Sequence, residues 1–455
     1  MRSILNWGIN FQVFTGIQNL TKAKTDSTIH AFIYEVKFNL KTTLFFNEGI
    51  KYMNSVQIAQ GIYDVGVNDW NVRDFHGYST PTGSTYNAFL IIDEKIALID
   101  TVKKEFAGQL LKNISEIVSP EKIDYVISNH TEMDHTGGLP LIMNHIGQDK
   151  PLYCSKMGQK NLAMHFRDSW NYHAVENGEE LDLGKRQLTF LETRMLHWPD
   201  SMLTYEKADQ ILFSSDAFGQ HYAGYEKFDD QIDRDELLFH SKKYFANIIL
   251  LYAGQVKKLL KTVTDMGLTF KMICPDHGII WRKHPELIID AYAKWSEPIH
   301  TKKAVVVYDT MWQSTKMMAE QIAAGIVSEG VNVRPMNLRT NHRSDIMTEL
   351  LEASALVVGS PTLNNNIYPT VSDFLTYMKG LRPQNKLAAC FGSYGWNGAS
   401  IKILNNELST MKFNMIDEAG LKIQYVPDED GLNRCLEYGR TIGKAVCQFV
   451  QEQSR

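Results

Sequence analysis

With 455 residues, 44% of them hydrophobic and 22% charged, the chain has material for two or three domains with sizeable cores. A formal net charge of -5 gives no electrostatic pull toward nucleic acid or an anionic membrane, and no stretch of sequence approaches a transmembrane span. Five scattered cysteines with no C-x-x-C pair argue against a disulfide framework, a structural zinc ribbon and an appended rubredoxin-type iron domain, and point to a reducing, cytoplasmic setting.

Residues 1–52 stand apart as an extension. Asn and Gln interrupt the apolar residues of "MRSILNWGINFQVFTGIQNL", which makes a poor secretory signal. At Met53 the text changes to the alternating, strand-like "VQIAQGIYDVGVNDW", and the Glu48-Gly49 pair just upstream can be encoded by a purine-rich ribosome-binding sequence. The natural start is therefore expected at Met53, with a genuine, weakly ordered N-terminal extension as the alternative. From Tyr86, "YNAFLIIDEKIALID" reads as strand, turn and strand; a helical stretch over 103–117 follows, then the apolar strand "IDYVIS".

Directly behind that strand comes "NHTEMDHTGG", with His130, Glu132, Asp134 and His135 in six consecutive positions. The same grammar recurs: "QLTFLETRML" leads to His197, "QILFSS" to Asp216, and "FKMICPD" to His277. Each time an apolar strand ends and a metal-capable side chain appears, and strand ends hold ligands rigidly. Four imidazoles and three carboxylates are too many for one ion and about right for two. Burying so many carboxylates without a cation would be costly. Taken singly, His165, His221, His284 and His300 read as ordinary surface or core residues.

Around 296–303, "SEPIHTKK" reads as a linker. Beyond it "AVVVYD", "VNVRPMNL", "SALVVGSP", "KLAACFGSYG" and "LKIQYV" are five strands alternating with four helical patterns, and a helix over 432–450 closes the chain. That alternation predicts a doubly wound, parallel five-stranded sheet whose ligand lies at the carboxyl ends of the strands.

The set His130-x-Glu132-x-Asp134-His135, His197, Asp216 and His277 resembles the ligands of the metallo-β-lactamase fold, with Glu132 where the zinc hydrolases usually carry histidine. Together with "RDFHGYST", "HWPDSM" and the C-terminal half, it resembles the flavodiiron proteins, or A-type flavoproteins, from about Met53 onward. The resemblance implies an N-terminal metallo-β-lactamase-like αββα sandwich over 53–298 and a flavodoxin-like domain over 302–455. It assigns one iron to His130, Glu132 and His197 and a second to Asp134, His135 and His277, with Asp216 bridging; in the family the position of His135 need not always coordinate. Oxygen-rich ligands favour iron over zinc.

At the first strand end of the C-terminal half, Thr310, Met311, Trp312, Ser314 and Thr315 surround a turn at a helix start, where a phosphate is attracted. The loop lacks the glycines and the Gly-Lys-Ser/Thr ending of a triphosphate-binding loop. Ser360, Pro361, Thr362, Leu363, Asn364 and Asn365 follow the third strand; Ser393, Tyr394, Gly395 and Trp396 follow the fourth. All three loops resemble the FMN-binding loops of flavodiiron proteins.

The resemblance further implies electrons entering at FMN and leaving at two iron ions, reducing dioxygen to water and/or nitric oxide to nitrous oxide, with His76 and Tyr244 near the pocket as proton or hydrogen-bond donors. A separate donor such as rubredoxin is expected, or alternatively a reduced deazaflavin coenzyme, within a head-to-tail homodimer or dimer of dimers. A di-zinc hydrolase fused to a flavodoxin module and an electron carrier with a vestigial metal domain are the competing readings, and metal content separates them.

Overall fold

The computed structural model describes residues 55–453; the expected extension and the start at Met53 lie outside them. The first half is two sheets face to face. A seven-stranded sheet runs in the order Val56–Ala59, Ile62–Asp64, Phe89–Ile92, Ile96–Ile99, Tyr125–Ser128, Pro151–Ser155 and Asn171–Val175, antiparallel at first and parallel from Ile96–Ile99 onward. A five-stranded sheet follows the order Glu180–Asp182, Gln187–Glu192, Met202–Glu206, Ile211–Ser215 and Met272–Pro275, and its last pair is parallel.

Alternation explains the layering. Phe89, Ile91, Ala97 and Ile99 of one sheet meet Phe190, Met202 and Phe213 of the other in a core between the sheets. The Phe89 and Phe213 rings stand 5.0 Å apart. Burying such a side chain fully contributes about 1.5–3 kcal/mol. Neighbouring residues on the same strands, such as Leu90 and Leu98, turn outward onto helices Ala107–Ser115 and Leu139–Ile146. Helices Arg234–Tyr244, Ala253–Asp265 and Pro285–Trp295 cover the second sheet's outer face. The result is an αββα sandwich. Part of the helix expected over 103–117 is a 3-10 turn, Lys104–Phe106, before the α-helix begins at Ala107.

The second half is a parallel sheet in the order Asn332–Asn337, Thr301–Tyr308, Ala353–Gly359 and Leu387–Tyr394. Its fifth position is shared by Asn414–Met415 and Leu421–Gln424, both parallel to Leu387–Tyr394. The expected fifth strand is Leu421–Gln424, and Asn414–Met415 is an additional short segment before it: the polar stretch between them leaves the ladder and returns at Gly420, whose φ of +64° suits glycine. Helices cover both faces.

Helices Ser314–Ser328 and Glu429–Gln453 cross on one face with almost no room between them. A Cβ on Gly439 would stand 2.1 Å from the Ile322 carbonyl oxygen, and one on Gly325 2.1 Å from that of Leu436. Gly439→Ala must push the helices apart and is expected to cost about 3 kcal/mol. Urea unfolding monitored by flavin fluorescence checks this.

Candidate metal and flavin sites

The ligand-type residues gather where the strands end. His130, Glu132, Asp134 and His135 follow Tyr125–Ser128, His197 follows Gln187–Glu192, Asp216 directly follows Ile211–Ser215, and His277 comes two residues after Met272–Pro275. The chain folds this way locally because each strand is clamped on both faces, so the first residues beyond it inherit a fixed position. They form two groups, His130, Glu132, His197 and Asp216, and Asp134, His135 and His277, with the ligand atoms of each group within 4.8 Å of one another.

Asp216 faces both groups. Its Oδ2 lies 2.9 Å from His197 Nε2 and 3.5 Å from His130 Nε2, while its Oδ1 lies 3.3 Å from His135 Nε2 and 3.4 Å from His277 Nε2. His277 Nε2 stands 3.2 Å from Asp134 Oδ2, and Glu132 Oε2 lies 3.4 Å from both His130 and His197. Two ligands each about 2.1 Å from one ion and about 100° apart are separated by about 3.2 Å. The spacing therefore fits cations in both groups. His135 turns Nε2 into the second group like the other histidines.

Hydrogen bonding points the same way. Both carboxylate oxygens of Asp134, both ring nitrogens of His135 and Oδ1 of Asp216 are buried without a hydrogen-bond partner. Such groups are expensive unless a cation accepts them. Burial alone disfavours a charged His130, yet the carboxylates of Asp200, Glu132 and Asp216 push its pKa up to about 10. Burial raises Glu132, but His130 and His197 pull it down to about 2. Despite burial, His135 and His197 hold Asp216 well below the usual carboxylate range. The pocket thus draws protons onto His130, His135 and His197, and metal binding displaces them.

A ring of further groups orients these ligands. Asp200, buried, accepts from His130 Nδ1 at 3.1 Å, from Thr131 N and Oγ1 at 2.8 Å each, and from Asn161 Nδ2 at 3.1 Å. His277 Nδ1 donates to the Thr85 carbonyl at 2.7 Å. His135 Nδ1 faces Asp276 Oδ2 at 3.6 Å. A carboxylate or carbonyl behind a histidine fixes its tautomer and raises its basicity toward metal.

A cavity of about 610 Å³ opens over the cluster, lined by Phe75, His76, Lys103, Glu132, Asp134 and Trp198 among others. His76 is at its mouth, exposed, with Nε2 3.6 Å from Glu132 Oε1. Tyr244 is buried, its ring 6.1 Å from that of His277, and burial and the charge of Asp216 hold its phenol well above the usual range, so it keeps its proton. His165 and His284 lie on the surface. His221 does not: it is buried against Phe75 at 4.6 Å, His277 at 4.7 Å and Tyr244 at 5.2 Å, with Nδ1 2.7 Å from Ser84 Oγ and Nε2 unpartnered. His221 is thus a core residue packed against the site and belongs to neither ligand group. Its place five residues beyond Asp216 was the only signal in the sequence.

The three loops of the second half meet at the carboxyl ends of the parallel strands, around a cavity of about 700 Å³. Met311, Trp312, Ser314, Pro361, Thr362, Leu363, Asn364, Asn365, Ser393, Tyr394, Gly395 and Trp396 line it. Thr310, Thr315 and Ser360 are buried, and Thr315 Oγ1 and Ser393 Oγ hydrogen-bond at 2.9 Å, tying two loops together. Thr310 Oγ1 is buried without a partner. With the start of helix Ser314–Ser328 it forms a neutral cradle suited to a phosphate monoester, since no lysine or arginine lines the cavity. Trp312 and Trp396 flank it almost fully exposed. Asn397, Tyr425 and Val426 also line it, and the sequence pattern did not single them out.

The ODP family beta lactamase description matches residues 85–278, and that of flavodoxin matches residues 306–439. A nitric oxide reductase of Moorella thermoacetica is 45% identical over 394 residues, 86% of this chain and 98% of that protein. The rubredoxin-oxygen oxidoreductase of Megalodesulfovibrio gigas is 43% identical, over 87% and 98%. The solved flavodiiron protein from Giardia intestinalis superposes with a TM-score of 0.84 at 32% identity, covering 89% of this chain and 99% of that one.

The chain belongs to the flavodiiron family.

As a flavodiiron protein it is an oxidoreductase whose two cofactors are FMN and a non-haem di-iron centre, and its reaction class is the reduction of dioxygen or nitric oxide. Membership sets aside the zinc-hydrolase and electron-carrier readings. Among the described residues, no helix is long and apolar enough to cross a membrane.

Proposed function

We propose that His130, Glu132 and His197 hold one iron, that Asp134, His135 and His277 hold the other, and that Asp216 bridges them. The observation that carries this is the division of the two Asp216 oxygens between the two groups. When bound, the di-iron centre and reduced FMN together supply up to four electrons, enough to take dioxygen to water, and two suffice to couple two nitric oxide molecules into nitrous oxide.

The chain's own residues shape that chemistry. Glu132, Asp134 and Asp216 offset much of the charge of two divalent ions, and their oxygens favour iron. Phe75 and Trp198 line the opening and restrict water. Tyr244 keeps its proton beside Asp216 and is a hydrogen-bond donor to reduced oxygen; His76 supplies protons from the mouth. Tyr244→Phe is expected to lower turnover about tenfold with iron and FMN content unchanged. Stopped-flow reoxidation of the reduced protein measures it.

The electron donor is a separate protein of the rubredoxin kind. Its relative in Megalodesulfovibrio gigas carries that donor in its name, and direct transfer from a reduced deazaflavin coenzyme is the alternative. No residue is shared between the linings of the flavin cavity and the metal cavity. A head-to-tail homodimer, alone or paired, brings one subunit's flavin to the other's irons through the exposed Trp312 and Trp396. The domains run over 53–298 and 302–455, and the protein works in the cytoplasm.

Relatives of nearly equal identity bear the names of both activities. Anaerobic turnover of the reduced, iron-loaded protein with each gas separately decides the preference. A protein loaded with FMN and iron that consumes neither gas contradicts the proposal.

A further inference from the structure

His76, at the mouth of the metal cavity, and Tyr244, packed beside His277, sit on segments that the flavodoxin-like half also contacts. His76 and Gly77 form a two-residue turn, with φ of +54° and +87°, between the short strands Asp74–Phe75 and Tyr78–Ser79. This hairpin belongs to neither large sheet; its two strands pair only with each other. On one side it touches the metal cluster, through His76 and Glu132 and through the Phe75 ring 5.9 Å from His277.

On its other side stands helix Arg343–Glu352 of the flavodoxin-like half. Arg343 Nε donates to the Gly77 carbonyl at 3.2 Å, and its guanidinium is itself fixed by Asp373 at 2.6 and 2.7 Å. Ser344 Oγ accepts from Ser79 N at 3.1 Å. Asp345 Oδ1 accepts from Lys243 Nζ at 2.6 Å, and that same ammonium donates to Ser79 Oγ at 2.7 Å. Lys243 is buried and immediately precedes Tyr244. Just beyond Tyr244 the helix widens into a π-turn, Phe245–Ile249, where Asn247 Nδ2 donates to the Ser344 carbonyl at 3.1 Å. Leu351 of the same flavodoxin helix is buried in the core formed by the sandwich's own helices. One helix of the flavin half therefore grips both segments that carry the pocket's donors.

We propose that the flavodoxin-like half braces the gas pocket of its own chain, with Arg343 and Asp345 as positioning residues for His76 and Tyr244. This rests on the reading that those two residues serve gas reduction. A donor displaced by about 1 Å loses much of its effect, so the brace acts on turnover without touching gas, flavin or iron.

The test uses the holoprotein with FMN and iron bound. Arg343→Ala, Arg343→Lys and Asp345→Asn are compared with His76→Ala and Tyr244→Phe by steady-state turnover and by deuterium exchange over residues 74–79 and 240–249. Arg343→Ala is expected to lower kcat about tenfold with the KM for gas, FMN content and iron content unchanged, and to speed exchange in residues 74–79; Arg343→Lys recovers part of both. Should His76→Ala and Tyr244→Phe slow turnover while Arg343→Ala and Asp345→Asn do not, the brace is overturned and the roles of His76 and Tyr244 stand. Normal turnover in His76→Ala and Tyr244→Phe overturns those roles and the brace together. If Arg343→Ala does not fold, Asp345→Asn decides by the same readouts.

Discussion

Asp216→Ala is expected to purify yellow and nearly iron-free. The substitution removes the carboxylate whose oxygens face both ligand groups, and it leaves His135, His197 and His277 without their shared counter-charge. Loss of an outer-shell partner alone costs a metal site about 10–100-fold in affinity, so loss of the bridge is expected to leave less than about a tenth of the iron. FMN stays, because the flavin cavity is lined only by residues from 311 onward. Iron and flavin per chain, measured on the same sample by metal analysis and absorbance, give the answer. An iron-replete Asp216→Ala protein with normal gas turnover would remove the bridging assignment.

The second large effect is expected at Asp200, a residue outside both ligand groups. Asp200→Ala takes away the acceptor of His130 Nδ1, Thr131 N, Thr131 Oγ1 and Asn161 Nδ2 at once. His130 is then free to change tautomer, and iron affinity is expected to fall about 10–100-fold. Buried donors left unpaired add about 1–3 kcal/mol of instability each. Competition with a chelator measures the first effect and thermal unfolding the second. Lower stability with unchanged iron affinity would make Asp200 a packing residue and nothing more.

The asymmetry between Asp216 and Asp200 shows what local text can carry. His130, Glu132, Asp134 and His135 crowd into six positions behind an apolar strand, and the other three ligands repeat that strand-end grammar, so their chemistry stands out one segment at a time. Asp200 lies 70 positions from the histidine it orients, and His221 and Tyr244 approach His277 only through packing. Side chains that act through a partner distant in the chain leave no local pattern. The flavin loops divide the same way: the first three are visible as hydroxyl, amide and aromatic runs at strand ends, whereas Tyr425 and Val426 join them only because the fifth strand delivers its end beside the fourth.

Periodicity by itself determined the doubly wound parallel sheet of the second half, and residue type at the strand ends pointed to cations in the first, while the αββα sandwich and the flavin were implied by the resemblance to flavodiiron proteins. These are properties of short segments, where an apolar strand and the residue after it are covalent neighbours. Only the tertiary structure decided that Asp216 would turn one oxygen to each ligand group, that His135 would face inward, and that a helix of the flavin half would grip the hairpin of the metal half. Each of these depends on the distance and angle between elements that the backbone joins only through many intervening residues, and packing of whole layers sets that geometry.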